Sequence, residues 1–426
     1  MTAHLFVLYP QPMDSKEFDR AYRKHLPMAG PKLEGATRVT TKRVVGLASA
    51  PPPYHLMSEI TFPDVEAMKA CTMSTGGKEA LAHAASISTG GAPVVIAVVD
   101  DADVSRSSDT RATRNAVGTG VLESIGGTPL VQLRKVVPPG SARVLVKLEG
   151  ANPTGNMKDR MAKTAIEAAE RDGRLQPGGT VVEYTGGSTG ASLALVCAAK
   201  GYHCKIVTSD AFSEEKTRTA RAFGAEIVLI PSDGGKITEE LIRKMIDAAR
   251  QISLEPRHWW FDQLNNADAM LGYYAMGEEI WRQSNGKVDA FVQSVGSAHS
   301  LNGVTKVLRE RNPDLYVVAA EPAESAVLSG KPKGPHKIEG IGIGFVPPGW
   351  RPGEVNETQT ATTEEAVRMC HRLAREEGIF AGTSSGLNVI AALSVAARLG
   401  SNATVATIMI DSGLRYLSTE VYRPGR

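Results

Sequence analysis

Apolar positions along the chain recur at two spacings, and the changeover between them marks out the elements. Alternating or short β-rich runs read as strands, and recurrence every three to four residues reads as helix. Near the N-terminus, residues 4–9 predict a strand. Residues 15–28 follow with helical spacing, and Asp14 stands where an N-cap would sit. Residues 37–47, rich in Val and Thr, predict a second strand. Pro51, Pro52 and Pro53 mark a turn, and residues 55–62 a third strand. A helix opens at Asp64 and runs to residue 85, with an interruption at Gly76 and Gly77, and residues 93–99 give the last strand. This βαββαβ order predicts a ferredoxin-like α+β domain over residues 1–100. One sheet face would lie under helices. The other needs cover, which points to dimerisation through it.

From residue 101 to 118 the chain turns polar and charged with no periodicity, the pattern of a linker. Beyond it, short β-rich runs at 144–148, 180–184, 203–208, 226–230, 290–295, 316–321 and 404–410 alternate with helical spacing at 161–171, 191–199, 214–222, 239–251 and 364–377. Such alternation predicts a doubly wound α/β domain with largely parallel sheets over residues 119–426. Ligands of such folds bind beyond the carboxyl ends of the strands.

Composition narrows the class. The 426 residues are 42% hydrophobic and 22% charged, a globular and not a disordered mix. Lys and Arg number 48 against 46 Asp and Glu, a net charge of +2, which gives no electrostatic footprint for nucleic acid or an anionic membrane. No apolar run reaches the ~20 residues a membrane span needs. The first residues lack the basic region and cleavage site of a secretory signal. Four cysteines, Cys71, Cys197, Cys204 and Cys370, are scattered without metal spacing, so no metal is expected. They read as free thiols in a reducing cytoplasm.

Glycine-rich turns hold the candidate chemistry. The run Asn152-Pro153-Thr154-Gly155-Asn156-Met157-Lys158 delivers a lysine to a helix start. The positive end of a helix disfavours an ammonium, which moves the lysine toward the free amine that Schiff-base chemistry needs. On spacing alone, a solvated lysine at a helix start is the favoured reading. Thr185-Gly186-Gly187-Ser188-Thr189-Gly190 lies between a strand and an alanine-rich helix and suits a carboxylate or phosphate, or is a plain strand–helix turn. Gly296-Ser297-Ala298-His299-Ser300 occupies a similar position. Alone it is weak, and His299 by itself reads as a solvent-facing loop residue. Glycine clusters at 339–347 and 382–386 are loops near a ligand or ordinary turns.

Their order carries more. Ile125-Gly126-Gly127-Thr128-Pro129-Leu130, then Lys158 in its Asn-Pro context, then the glycine loops, then Asp411-Ser412-Gly413-Leu414-Arg415-Tyr416-Leu417-Ser418-Thr419 resembles the cysteine synthase family over residues 121–422. These are pyridoxal 5'-phosphate (PLP) enzymes of fold type II, a class that includes cystathionine β-synthase and the serine and threonine dehydratases. The resemblance implies that Lys158 is the catalytic Schiff-base lysine. It implies that Thr185, Gly186, Gly187, Ser188, Thr189 and Gln263 grip the substrate carboxylate, with Ser188 also facing the cofactor's O3′ oxygen. Gly296, Ser297, Ala298, His299 and Ser300 match the phosphate cradle. Gly340 matches a glycine beside cofactor and substrate, and Ser384 the serine bonded to the pyridine nitrogen. A neutral partner at that nitrogen makes a weaker electron sink, which favours loss of a β-substituent.

The implied reaction is β-replacement on a serine derivative, an O-acetylserine- or O-phosphoserine-like donor. Lys158 removes the Cα proton, an aminoacrylate forms, and a nucleophile adds. Release of the aminoacrylate and its hydrolysis to pyruvate and ammonia instead gives a dehydratase or β-eliminating lyase, and a degenerate PLP fold acting as a scaffold is the alternative from another class. Departures stand out. The family loop has serine where this chain has Gly186 and asparagine where it has Ser188. Ala298 and His299 replace two glycines. These changes point to a different donor or nucleophile. The first domain is similar to EthD-like dimeric α/β barrels in residues 5–10 and 18–27, with His25-Leu26-Pro27. That likeness implies a homodimer. His25 is then either an acid/base group or a helix-end histidine bonded to a local carbonyl.

Overall fold

The computed structural model describes residues 3–44, 52–99, 120–212, 214–234 and 238–423. The chain divides into two compact units, Met1–Ala116 and Val117–Arg426. The segment 100–118 and residues 45–47 of the expected second strand lie outside the described residues.

The first unit runs β1 (Ala3–Pro10), α1 (Ser15–Ala29), β2 (Arg38–Arg43), β3 (Tyr54–Phe62), α2 (Val65–Met73), α3 (Thr75–Ser86) and β4 (Val94–Val99). Its antiparallel sheet has the order β2-β3-β1-β4. Helix α1 starts where expected, because the Asp14 carboxylate accepts from the amides of Lys16 and Glu17. The helix expected over 64–85 is two helices, and the break falls at Ser74, not at the glycines. Ser74 is extended, closes α2, and caps α3 by accepting from the Gly77 amide. Alternate residues of β1, namely Ala3, Leu5, Val7 and Tyr9, pack on Phe18 and Tyr22 of α1. At the sheet edge β4 is apolar throughout, yet Val94, Val95, Ile96 and Val98 are 40–44% exposed.

The second unit continues with β5 (Leu130–Gln132), β6 (Arg143–Leu148), α4 (Lys158–Arg171), β7 (Thr180–Tyr184), α5 (Ser188–Lys200), β8 (His203–Ser209), α6 (Glu214–Ala222) and β9 (Glu226–Ile230). Next come α7 (Glu239–Ser253), β10 (His258–Trp260), α8 (Ala267–Leu271), α9 (Tyr274–Gln283), β11 (Ala290–Ser294), α10 (His299–Arg311) and β12 (Tyr316–Pro322). The chain ends through β13 (Glu357–Ala361), α11 (Thr363–Arg372), α12 (Thr383–Leu399) and β14 (Thr404–Met409).

A four-stranded parallel sheet has the order β10-β7-β8-β9. A six-stranded sheet has the order β13-β12-β11-β14-β6-β5, parallel except where β5 runs against β6. Every residue of β7, β11 and β14 is buried, as expected for strands covered on both faces. The apolar pattern did not predict β5, β10 and β13, which lie at sheet edges, nor helices α8, α9 and α12, and α10 was expected only as the helix that follows Gly296–Ser300. Helix α12 shows why: it is buried almost all round from Thr383 to Ala396, so it has no polar face to set a helical period. Among the described residues no helix is long and apolar enough to cross a membrane. All four cysteines are free and buried.

Candidate active site

The loops beyond the carboxyl ends of β6, β7, β11 and β14 converge. The turn before α4 is laid along the end of β14: the Met157 amide donates to the Ile410 carbonyl at 2.9 Å, and Ser412 to Gly155 at 2.8 Å. Just before α4, the Asn156 side chain accepts from the Lys158 amide at 2.7 Å and so fixes the entry to the helix. Asp159 turns back to accept from the Thr154 amide at 2.9 Å and from the Ser192 hydroxyl at 2.6 Å. Lys158 thus occupies the first position of α4. Its amine has no hydrogen bond or ion pair among the described residues, and burial lowers its pKa from 10.5 to about 8. The lysine is therefore not the solvated one that spacing alone favoured.

The Thr185–Thr189 loop opens α5. Thr189 donates to Gln263 Oε1 at 2.7 Å, and the Gln263 amide group donates to the Tyr184 carbonyl at 3.3 Å, so the glutamine belongs to this loop. Arg415, from the C-terminal segment, donates to the Thr154 carbonyl and to Ser188 Oγ, both at 3.1 Å. That guanidinium joins the lysine turn to the glycine loop.

Gly296 to Ser300 sit between β11 and α10. A Cβ at Gly296 would lie 2.6 Å from the Gly340 carbonyl oxygen, so glycine is required there and the two loops touch. The amides of Gly296, Ser297 and Ala298 have no acceptor among the described residues. Ala298 takes the left-handed conformation, φ 68°, as it enters the helix. His299 is buried and not solvent-facing, and its Nδ1 lies 3.2 Å from Ser297 Oγ. Burial, with a smaller push from the Lys158 charge, lowers its pKa to about 4. The imidazole is thus neutral at ordinary pH and lies within electrostatic reach of the lysine. Ser384, near the start of α12, is buried, and its hydroxyl has no partner among the described residues. Its neighbours tie it to the same place: Thr383 accepts from the Glu339 amide at 3.3 Å and Ser385 from Ile410 at 2.9 Å.

Beneath the lysine lies a buried ion network that motif reading missed. Arg160, two residues after Lys158, donates to both carboxylate oxygens of Glu149 at 2.7 and 2.8 Å. It also donates to both oxygens of Glu279 at 2.9 and 2.8 Å. Lys147 completes it, 2.6 Å from Glu279 and 0% exposed. The Gly127 amide and the Thr128 hydroxyl bond the same two carboxylates at 3.0 and 2.6 Å. The one sequence signal was a lysine inside the apolar strand Val144-Leu145-Val146-Lys147-Leu148.

His25 stands apart, in the first unit. It is buried, and its Nδ1 lies 2.8 Å from Nδ1 of His83, with the two rings stacked. Its partner is therefore a second histidine and not a local carbonyl. Burial, then the His83 charge, lowers its pKa.

A half-buried lysine amine without a hydrogen-bond partner, a row of free amides at a helix start and a lone buried hydroxyl fit the three polar ends of a phosphorylated pyridine aldehyde. On a doubly wound α/β scaffold this defines a cofactor-binding enzyme whose cofactor is PLP. The family model of the pyridoxal-phosphate dependent enzymes matches residues 121–411, and the chain belongs to that family. A cysteine synthase from Staphylococcus aureus is 41% identical over 304 residues, which is 71% of this chain and 96% of that protein. The crystal structure of a cysteine synthase from Entamoeba histolytica superposes with a TM-score of 0.69 at 35% identity, covering 74% of this chain and 93% of that one. That of the O-acetylserine dependent cystathionine beta-synthase from Helicobacter pylori gives 0.67 at 32% identity, covering 72% and 99%.

Proposed function

We propose that the second unit catalyses β-replacement on a serine derivative with an O-acetylserine- or O-phosphoserine-like donor. The observation that carries this is the half-buried Lys158, whose amine has no hydrogen bond or ion pair among the described residues, within electrostatic reach of His299 in the loop that bears the free amides of Gly296 to Ala298. PLP, when bound, supplies the electron sink that makes the donor's Cα proton removable. The hydroxyls of Thr185 and Thr189, the first-turn amides of α5 and the Thr189-held Gln263 receive the donor carboxylate. Lys158, with a pKa near 8, is a free amine often enough to take the Cα proton. Gly296 to Ser300 hold the phosphate by amides and hydroxyls, and neutral His299 adds no charge there. Gly340 keeps backbone close beside them. Ser384 offers the ring nitrogen a neutral hydroxyl and so fixes no proton on it. A nucleophile then adds at Cβ. The relatives named for cysteine and for cystathionine support a site that accepts more than one nucleophile.

The test adds L-serine, O-acetyl-L-serine and O-phospho-L-serine in turn to the PLP-loaded protein, then supplies sulfide or a thiol. The expected result is a change in the cofactor's visible absorption with one ester and a cysteine or thioether product. Pyruvate and ammonia as the sole products would overturn replacement in favour of elimination. Silence with every donor would overturn the donor class.

We infer also that residues 1–100 form a ferredoxin-like, EthD-like module, joined by a linker at 101–118 to the PLP domain at 119–426. Its open sheet face is covered by a second copy of the chain, giving a homodimer. The β2-β3-β1-β4 order and the uncovered apolar edge of β4 support this, because an exposed apolar edge strand in an isolated chain would promote aggregation. The buried, free cysteines suit a cytoplasmic enzyme. Ile96→Lys in the full chain is expected to lower the sedimenting mass at equal concentration. An unchanged mass would remove the interface from β4.

A further inference from the structure

The glycine at 186 is a departure from the family loop, and the structure gives it a partner. A Cβ built on Gly186 would lie 2.4 Å from both Cδ1 and Cε1 of Phe212 and 2.8 Å from Cζ. No side chain fits there while the ring stays. Phe212 comes from the turn after β8, far from the loop in sequence, and that turn is built firmly. The Phe212 amide donates to the Ser209 carbonyl at 3.2 Å. The Ser209 hydroxyl donates to Asp210 at 3.0 Å, and the same Asp210 oxygen accepts from the Ser232 amide at 2.8 Å. On its other side the ring packs against the cluster that includes Val182, Tyr184, Val207 and Leu241. The ring thus bridges the core under the parallel sheet and the loop that opens α5.

We propose that Phe212 is a positioning residue for the donor-carboxylate loop and that Gly186 and Phe212 work as a matched pair. The ring takes the volume of the missing side chain and presses the loop into the conformation in which its amides point at a carboxylate. Fixing a binding loop in advance lowers the entropy that donor binding must overcome. The donor carboxylate is then held by amides, Thr185, Thr189 and Gln263, with a phenyl ring as backing in place of a hydroxyl. This rests on the reading of Thr185–Thr189 as the donor site.

The test is a double-mutant cycle on the PLP-loaded full chain with Phe212→Ala, Gly186→Ser and the two combined. Phe212→Tyr serves as the conservative variant and Thr189→Ala as a control on the underlying reading. Readouts are donor KM, kcat, the dissociation constant of L-alanine by calorimetry and thermal unfolding. L-alanine carries the amino and carboxylate groups but no leaving group. Contacting residues couple strongly enough that each single change is expected to raise donor KM and weaken L-alanine by about tenfold, with kcat within about twofold. The double variant should lie closer to wild type than Gly186→Ser, and Phe212→Tyr should match wild type. Should Gly186→Ser fail to fold, Phe212→Ala against Phe212→Tyr still decides. Effects that simply multiply, or an unchanged donor KM in Phe212→Ala, would overturn the proposal. If Thr189→Ala also leaves donor KM and L-alanine binding unchanged, the donor-site reading has failed. If only the coupling is absent, the reading survives and the pair does not.

Discussion

Lys158→Ala is expected to leave the protein folded, end covalent retention of PLP after borohydride reduction, and lower turnover at least ~10³-fold. The size follows from the position. The side chain stands at the first residue of α4, with its amine in no ion pair or hydrogen bond among the described residues. Nothing in the packed core depends on that amine, so its removal strips chemistry and not stability. Burial holds its pKa near 8 instead of 10.5, and only the unprotonated amine attacks a carbonyl. Uptake of PLP by the cofactor-free protein should therefore speed up with rising pH and level off above about 8. Continued acceleration toward 10.5 would show that the amine is solvated after all. A borohydride-stable cofactor in Lys158→Ala would assign the attachment to another residue.

The second large effect is on stability. Glu279→Ala is expected to cost about 3–5 kcal/mol, because it leaves buried cations with too little compensating charge. For a unit of this size that is a fall in Tm of about 5–8 °C. Among the described residues Lys147 would lose its one carboxylate ion pair, and Arg160 would keep that with Glu149. The same residue predicts an acid window. Burial alone would raise its carboxyl pKa, but the hydrogen bonds and charge of Arg160, then Lys147, overcome this and hold it at about 2. In the unfolded chain the group titrates near 4.5. Between those values the unfolded state binds more protons, so stability falls as pH drops from about 4.5 through about 2. Denaturant melts across that range should show the fall in the wild-type protein and a shallower one in Glu279→Ala. Equal stability at neutral pH would show that the network contributes little. Arg160 shares a helix with Lys158, so the variant should also lose turnover.

How much of this was legible in the chain depends on distance in sequence. The buried parallel strands were visible because strands covered on both faces are continuous apolar runs. At Lys158 a proline–glycine turn and a helix start announced themselves within a few residues, but that spacing alone favoured a solvated lysine, and only the order of the motifs, through the family resemblance, singled the residue out. The loops at 185–189 and 296–300 were likewise singled out by the order of motifs and not by their own spacing, which fits ordinary strand–helix turns. What stayed hidden joins remote positions. Arg160 and Glu279 are 119 residues apart, and Arg415 and Ser188 are 227 apart, so no local spacing links them. Gly186 was noticed as a departure, but its reason sits on another strand's turn. The break at Ser74 was placed two residues late because the glycines were weighed above a capping hydroxyl. Helix α12 was missed because full burial erases the period that reveals a helix.

The lysine turn is closed by residues that the ribosome makes long after it. Strand β6 is flanked by β14 in the finished sheet, and the amide of Met157 pairs with Ile410. Some 250 residues separate those partners, a delay of about 10–50 s at ~5–20 residues per second of translation. Through that interval the nascent chain carries the nucleophilic amine without the strand that seats it, and one flank of β6 without its neighbour. Cofactor loading therefore has to follow synthesis of β14, and nascent chains stalled short of it would be clients for holding chaperones and would take up no cofactor.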